Sequence, residues 1–487
     1  MQPRWPTNCR APNSSRTRLT VAYRVVVLAV LLGCCAPLSS EADDIDDYIS
    51  AQMQHLHIPG LSLAIVRDGR IAKSAGYGFA NLELRTDATK ETVYEIGSNT
   101  KQFTAAAIML LVEDGKIHLE DSIANYFPEV PETWHDITIR HLLTHTSGIQ
   151  NHVAVPHWMD VFKTSLAFET SPARDELLKM FFKLPLEFHP GETWAYDNTG
   201  YYLLGIIIEK VSGKSYWQFL DERIFKPLGM KSTRNTDPQP LVPNRASGYE
   251  WKNDHFENRP ILLPAIAFSA GAFLSTVDDL VKWDAALSGE KLLRKSSLNR
   301  IWNPMRTNND MDAPFNYGLG WFLDRYHGHR LVQHSGGTPG FSSLIYRFID
   351  DKLTIIILTN HSDMPIDQLA IDIAGICLPV LKRPEPKLDS NPATTAKFKQ
   401  IVSSLLDGNY DAAAFTAPMR LFLNTATGKA FWKWIADQGT LSSFVFSDRE
   451  ERPDGEIWRY KLKLGGNWYW FSVTTTRDGK VAQIYWW

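Results

Sequence analysis

Cysteine is nearly missing from this chain. Of four cysteines in 487 residues, Cys9, Cys34 and Cys35 lie in the first 35 positions, which leaves Cys377 alone in the rest. No internal disulfide can form there, so a small disulfide-stapled secreted fold is excluded. A long apolar run is missing at the N-terminus too: Val25 to Leu32 is far short of the roughly 20 residues that a helix needs to span a bilayer. No Gly-x-Ser-x-Gly occurs, which argues against the nucleophile elbow of an α/β-hydrolase. Net charge is only −3 and no basic block follows residue 24, so nucleic acid is not an expected partner.

What is present suits a large folded chain. With 44% hydrophobic and 22% charged residues it can build sizeable cores, and its length exceeds one typical domain. Arg4, Arg10, Arg16, Arg18 and Arg24 precede the Val25 to Leu32 run, the order of a secretory signal. Cleavage after Ala42 removes a leader of residues 1–42, leaving an exported protein, periplasmic or secreted, with no membrane span. Leu31-Leu32-Gly33-Cys34 also resembles a bacterial lipoprotein signal, which would place a lipid anchor on Cys34, although Leu32 departs from that pattern.

The chemistry begins at Ser98-Asn99-Thr100-Lys101, which opens the apolar stretch Phe103 to Val112. A seryl hydroxyl needs a base within hydrogen-bond reach to act as a nucleophile. Residues three apart on a helix share a face, so Lys101 can be the base for Ser98. Gln102 to Val112 lacks Gly and Pro and reads as a buried helix, stopped at Asp114-Gly115. Burial and the helix dipole both lower the pKa of Lys101, which brings the neutral amine within reach near neutral pH. Ser288-Gly289-Glu290-Lys291 repeats the spacing, but it carries a central Gly, leads into basic sequence, and has no apolar helix behind it, so it reads as surface structure.

Tyr196-Asp197-Asn198 lies between Phe188-His189-Pro190-Gly191 and the apolar helix Tyr201 to Val211, and is placed on a loop. Beside a buried lysine, the Tyr196 phenol is expected to lose its proton below its usual value of about 10 and to shuttle it to a leaving group. Asn198 offers an amide to the lysine or to a substrate carbonyl; the bland alternative is an aromatic anchor and a helix cap. His334-Ser335-Gly336-Gly337 precedes two expected paired strands, Phe341 to Phe348 and Leu353 to Thr359. Its glycines allow a main-chain amide to approach a ligand and to serve, with the amide of Ser98, as an oxyanion hole; a Gly-rich turn is the alternative.

Together these motifs resemble the active-site set of the serine β-lactamase and penicillin-binding-protein superfamily, with its Ser-x-x-Lys, Tyr-x-Asn and Lys-Thr-Gly signatures. Tyr94-Glu95-Ile96-Gly97, Arg140 to Gly148, Pro227-Leu228-Gly229-Met230 and Tyr317 to Trp321 resemble its class C β-lactamase, D-aminopeptidase and esterase branch, over roughly residues 43 to 385. The resemblance implies scaffold roles for His141 and His145 rather than metal ligation. It also implies catalytic roles for Ser98, Lys101 and Tyr196, with Asn198, His334, Gly336 and Gly337 in support, the last as an oxyanion amide. Neither a metal nor an organic cofactor is implied. His334-Ser335-Gly336 replaces Lys-Thr-Gly, which removes the permanent cation that anchors a substrate carboxylate. The resemblance therefore implies an ester or a D-amino-acid amide or short peptide as substrate. A β-lactam or D-alanyl-D-alanine substrate is the alternative, as are a slowly deacylating penicillin-binding sensor and a non-catalytic scaffold of the cell envelope.

Strand signals at both ends of residues 43–385, Leu61 to Arg67 and Arg70 to Ser74 early and the Phe341 and Leu353 runs late, imply an α/β fold of β-lactamase type: an antiparallel sheet with helices on both faces and an inserted helical subdomain. A linker is expected over 386–394. Residues 395–487 read as a small α+β domain, with helices at Ala396 to Leu406 and near Lys429 to Asp437. Neighbouring strands Trp458 to Leu464 and Trp468 to Val473 follow, joined by Gly465-Gly466-Asn467.

Overall fold

A computed structural model of the chain describes residues 38–155, 171–260, 262, 264–362, 364–383, 387–389 and 391–486. It divides into two compact units, Met1–Tyr48 and Ile49–Trp487. The expected leader and Cys34 lie outside the described residues, apart from the start of helix α1 (Leu38–His55). Among the described residues no helix is long and apolar enough to cross a membrane.

The second unit is organised on strands from both ends of the catalytic-type sequence. In chain order it runs β1 (Gly60–Arg67), β2 (Arg70–Asn81), β3 (Thr86–Asp87), α2 (Thr100–Glu113), α3 (Asn198–Ser212), α4 (Val277–Leu287), β4 (Phe322–Tyr326), β5 (His329–Thr338), β6 (Phe341–Phe348), β7 (Leu353–Thr359) and α5 (Ile366–Cys377), with shorter pieces between. These strands form one antiparallel sheet in the order β3-β2-β1-β7-β6-β5-β4. The β1–β7 pairing, Leu61 opposite Thr359 through Arg67 opposite Leu353, joins the two ends of the sequence. Side chains alternate faces along a strand, yet every residue of β6 and β7 is buried, so both faces of the sheet centre are covered. Helix α4 packs on β1 and β7, and α5 on β6 and β7.

Helix α2 is buried from Thr100 through Leu111, with no solvent face. Phe103 packs there against the rings of Phe225, Phe273 and Trp283. The β6 and β7 bounds match the sequence expectation, while β2 continues to Asn81, well past Ser74. His334 to Gly337 lie within β5 instead of ahead of the strands. Glycine weakens a strand signal because it brings no side chain to pack, and Gly336-Gly337 concealed this one.

Beyond α5 the chain forms α6 (Pro392–Leu406), α7 (Ala417–Asn424), α8 (Ala426–Asp437) and four strands, β8 (Leu441–Arg452), β9 (Gly455–Leu464), β10 (Asn467–Thr476) and β11 (Val481–Trp486), paired in sequence order as an antiparallel sheet. The Asn391 side chain caps α6, which starts inside the segment expected as a linker; α7 was not foreseen from sequence. The terminal core, with Phe398, Phe422, Tyr460 and Phe471, also takes in Trp194, Ala313 and Tyr317 from the preceding part of the chain.

Candidate active site

Ser98 sits in a single 3-10 turn, Gly97–Asn99, that leads into α2, so Ser98 and Lys101 lie one turn apart. A chain of buried side chains fixes this turn. Trp283 Nε1 donates to Gln102 Oε1 (2.8 Å), Gln102 Nε2 to Asn99 Oδ1 (2.5 Å), Asn99 Nδ2 to Ser343 Oγ (2.7 Å), and Ser343 Oγ to the Ile96 carbonyl (2.8 Å). Sequence reasoning missed Asn99, Gln102 and Ser343, because their partners come from other elements.

Lys101 is fully buried, and its Nζ is 3.1 Å from Ser98 Oγ, 2.8 Å from Asn198 Oδ1 and 2.7 Å from the Ala270 carbonyl. The amide and carbonyl oxygens can only accept. A neutral amine has two hydrogens and one lone pair; the two oxygens take the hydrogens, and the lone pair is left for the Ser98 hydroxyl. Burial lowers the Lys101 pKa well below its usual value, opposed by the charge of Asp197. The Ala270 carbonyl reaches the lysine just past a break at Phe268 (φ 39°, ψ −125°) in the Pro264–Gly271 helical segment.

Asp197 and Asn198 form the entry of α3. Asp197 is the cap, accepting from the amides of Thr199 (2.7 Å) and Gly200 (2.9 Å), so Asn198 is the first helical residue instead of a loop residue. Burial pushes the Asp197 carboxyl up to about 7, opposed by those amides and by Lys101. Tyr196 stays on the loop, its ring centroid 4.7 Å from Lys101 Nζ. Burial raises its phenol above 10, the Asp197 charge adds to the rise and the Ser98 hydrogen bond opposes it, so the shift runs opposite to the one expected beside a lysine and Tyr196 stays protonated.

His145 accepts from the Asp197 amide at Nδ1 (3.0 Å) and packs 4.4 Å from the Tyr196 ring, while His141 belongs to the capping box of a short helix, Ile139–Leu143. His334 is buried and faces Tyr317. Its Nδ1 donates to the Ser335 carbonyl (2.6 Å), which leaves Nε2 to accept from the Tyr317 hydroxyl (3.0 Å). Burial and the nearby lysine push its pKa down to about 3, so it is a neutral imidazole held behind the site.

Strand β4 pairs with β5 only over His329–Gln333, which frees the outer edge of Gly336 and Gly337 to meet the Ser98 turn. That approach admits no side chain: a Cβ on Gly336 would lie 2.1 Å from the Ile96 carbonyl oxygen, and one on Gly97 (φ 47°) 2.8 Å from the Gly337 nitrogen. Ser98, Asn198 and Gly337 line one cleft of about 390 Å³ with His152, Val153, Leu262, Ile266, Thr338 and neighbours; among the described residues no Lys, Arg, Asp or Glu lines it. A larger cavity, about 490 Å³ beside Lys226, Lys231 and Arg234, contains none of these groups. The Ser288 hydroxyl donates to the Asp284 carbonyl and accepts from Arg347, and among the described residues no lysine is bonded to it.

The beta-lactamase family model matches residues 45–374. The chain belongs to the beta-lactamase family. It is 32% identical over 381 residues to Penicillin-binding protein 4* of Bacillus subtilis (strain 168), spanning 74% of this chain and 82% of that one. The octameric penicillin-binding protein homologue from Pyrococcus abyssi shares the fold at 23% identity and a TM-score of 0.61, covering 90% of this chain and 97% of that one. The D-amino acid amidase from Ochrobactrum anthropi SV3, solved with L-phenylalanine amide, aligns at 25% identity and a TM-score of 0.60, over 71% of this beta-lactamase-family chain and all of the amidase. By family the chain is a hydrolase.

Proposed function

We propose that the protein is an exported serine hydrolase that works through an acyl-enzyme on Ser98 and takes an uncharged ester or a D-amino-acid amide or peptide. One observation carries the reading: the buried Lys101 Nζ lies 3.1 Å from Ser98 Oγ and also meets two groups that can only accept, Asn198 Oδ1 and the Ala270 carbonyl, so in the neutral amine the lone pair is left for Ser98. Lys101 takes the Ser98 proton as the oxygen attacks the substrate carbonyl. The amides of Ser98 and Gly337 hold the tetrahedral oxyanion, each such donor contributing about 10²–10³ in rate. Tyr196, protonated, passes its proton to the leaving group and regains one from the Lys101 ammonium; water then attacks the acyl-enzyme, releasing the acid and returning a proton to Ser98. His334 acts by holding Tyr317 and the strand instead of binding substrate charge.

The described lining of the cleft carries no charged side chain, which supports a substrate without a carboxylate at this point. It favours esters and D-amino-acid amides over β-lactams and D-alanyl-D-alanine, whose carboxylate would meet no cation among the described lining residues. The similarity to Penicillin-binding protein 4* favours penicillin as the second reading.

The test is intact-protein mass after brief incubation and acid quench with an aryl acetate, D-phenylalanine amide, benzylpenicillin and D-alanyl-D-alanine, on wild type and Ser98→Ala. An adduct or turnover with the first two, absent in Ser98→Ala, is the expected result. Acylation by benzylpenicillin or D-alanyl-D-alanine alone would replace the substrate reading, and equal labelling of Ser98→Ala would remove Ser98.

A further inference from the structure

The loop that carries Tyr196 has no regular structure between Trp194 and Asp197, so the place of the phenol depends on what holds the loop from outside. One support is local: the Ala195 amide donates to the His145 carbonyl (3.0 Å) and the Asp197 amide to His145 Nδ1 (3.0 Å). The other comes from more than 200 residues away. Thr427 Oγ1, in the first turn of α8, donates to the main-chain carbonyl of Tyr196 itself (3.1 Å). Thr193 Oγ1 donates to the Pro418 carbonyl in α7 (2.7 Å), and the Ala426 amide at the start of α8 donates to Glu187 Oε1 (2.5 Å). Between these bonds Trp194 is buried against Phe315 and Phe422, its ring centroid 4.6 and 6.1 Å from theirs.

The same terminal segment reaches the other side of the site. Gln483 Nε2 in β11 donates to the Ala313 carbonyl (2.9 Å) and to Asn316 Oδ1 (3.0 Å), and the Asn316 amide donates to the Tyr485 hydroxyl (2.9 Å). The next residue is Tyr317, whose ring packs 4.7 Å from His145 and whose hydroxyl holds His334. Helix α8 also contacts the short turn His152–Ala154, of which His152 and Val153 line the cleft.

We infer that residues 392–486 brace the Tyr196 loop, and that Thr427 is a positioning residue that sets the Tyr196 phenol against Lys101 and Ser98. The inference rests on the proton-transfer role proposed for Tyr196. A misplacement of about 1 Å in a group that must meet reacting atoms can cost about 10²-fold in rate, so one hydrogen bond to the backbone of that group is enough to be read in kcat.

The test compares Thr427→Val, Thr427→Ser and Tyr196→Phe, and the double variant Thr427→Val with Tyr196→Phe, in the full chain. Acylation rate, kcat, KM and melting temperature are measured with whichever aryl ester or D-amino-acid amide the wild type turns over. Thr427→Val should lower kcat about 10-fold with KM nearly unchanged, and Thr427→Ser, which keeps the hydroxyl, should restore it. Without the phenol there is nothing left to place, so Thr427→Val should add little to Tyr196→Phe. The brace is overturned if Thr427→Val keeps the wild-type rate while Tyr196→Phe loses it, or if Thr427→Val costs the same factor in both backgrounds. Full activity in Tyr196→Phe overturns the role of Tyr196 and the brace together. If Thr427→Val does not fold, Thr193→Val, which removes the Pro418 bond, is read by the same criteria.

Discussion

Lys101 Nζ lies 2.7 Å from the main-chain oxygen of Ala270, 169 residues further along the chain. This contact decides which way the amine faces. The helical spacing of Ser98 and Lys101 brings hydroxyl and amine together, but spacing alone leaves the amine free to turn. Two acceptors from distant elements, Ala270 and Asn198, remove that freedom, and burial lowers the lysine pKa well below its usual value, which favours the uncharged amine.

The first prediction follows from that geometry. Ser98→Ala should abolish acylation and Lys101→Ala should nearly do so, with losses of at least about 10³-fold, because serine without a base is a weak nucleophile. Ser288→Ala should acylate like wild type, since that hydroxyl is held by Arg347 and Asp284. Mass spectrometry of the quenched proteins reads all three. Loss of labelling in the Ser288 variant with labelling kept in Ser98→Ala would reverse the site assignment.

Much of this site could be read from sequence because its signals are local. Ser98 and Lys101 are one helical turn apart, and β6 and β7 are short runs of apolar and β-branched residues bounded by turns, so their limits were visible. What was hidden depends on contacts between distant segments. Any residue can supply a carbonyl, so nothing in the composition around Ala270 marks it. His334 was expected to stand where the family carries a cation. Only its partners, Tyr317 and the Ser335 carbonyl, disclose that it is buried and neutral. The shift of Tyr196 was expected with the wrong sign, because the cost of burying a phenolate cannot be weighed before the burial is known. The terminal segment gave no sequence sign of its bonds to the Tyr196 loop, which run between threonine hydroxyls and main-chain oxygens.

A second prediction concerns pH. The proposed mechanism requires neutral Lys101, so kcat/KM should rise with pH through the lysine pKa of the free enzyme, which burial holds below its usual value and the Asp197 charge raises. Asn caps a helix about as well as Asp, so Asp197→Asn keeps the entry of α3 while removing the charge. With less to favour the ammonium, the lysine pKa falls and the acid limb of the profile moves to lower pH. A pH profile of kcat/KM for the two proteins checks it; an unmoved or upward-shifted limb in a folded variant would take Asp197 out of the electrostatics of the lysine.

The close approach of β5 to the Ser98 turn gives a third. Gly336→Ala places a methyl 2.1 Å from the Ile96 carbonyl oxygen, a main-chain atom that can yield only if the strand or the turn moves. Either motion separates the amides of Ser98 and Gly337. The rate should fall about 10²–10³-fold, as for the loss of one oxyanion donor, while overpacking costs about 1–3 kcal/mol of stability. Gly337→Ala meets open space and should lose far less. The comparison of kcat between the two alanine variants is the measurement, and equal losses would argue against a steric origin.

Asp324 supports a prediction about stability. It is buried in β4 and accepts from Gln333 Nε2 (3.0 Å), and burial pushes its pKa up to about 6 from an ordinary carboxyl value of 3.8. An acid whose folded pKa is raised holds its proton more tightly in the folded state, so its contribution is favourable below pH 3.8 and is lost as pH rises toward 6. At about 1.36 kcal/mol per unit, the loss is at most about 3 kcal/mol. Asp324→Asn carries no ionisable group and keeps an oxygen for Gln333. In urea unfolding from pH 4 to pH 8, wild type should lose stability relative to the variant between pH 4 and 6, and the difference should level off above 6. Parallel curves across that window would mean that Asp324 ionises in the folded protein as readily as in the unfolded chain, and that water or Tyr485 compensates for its burial.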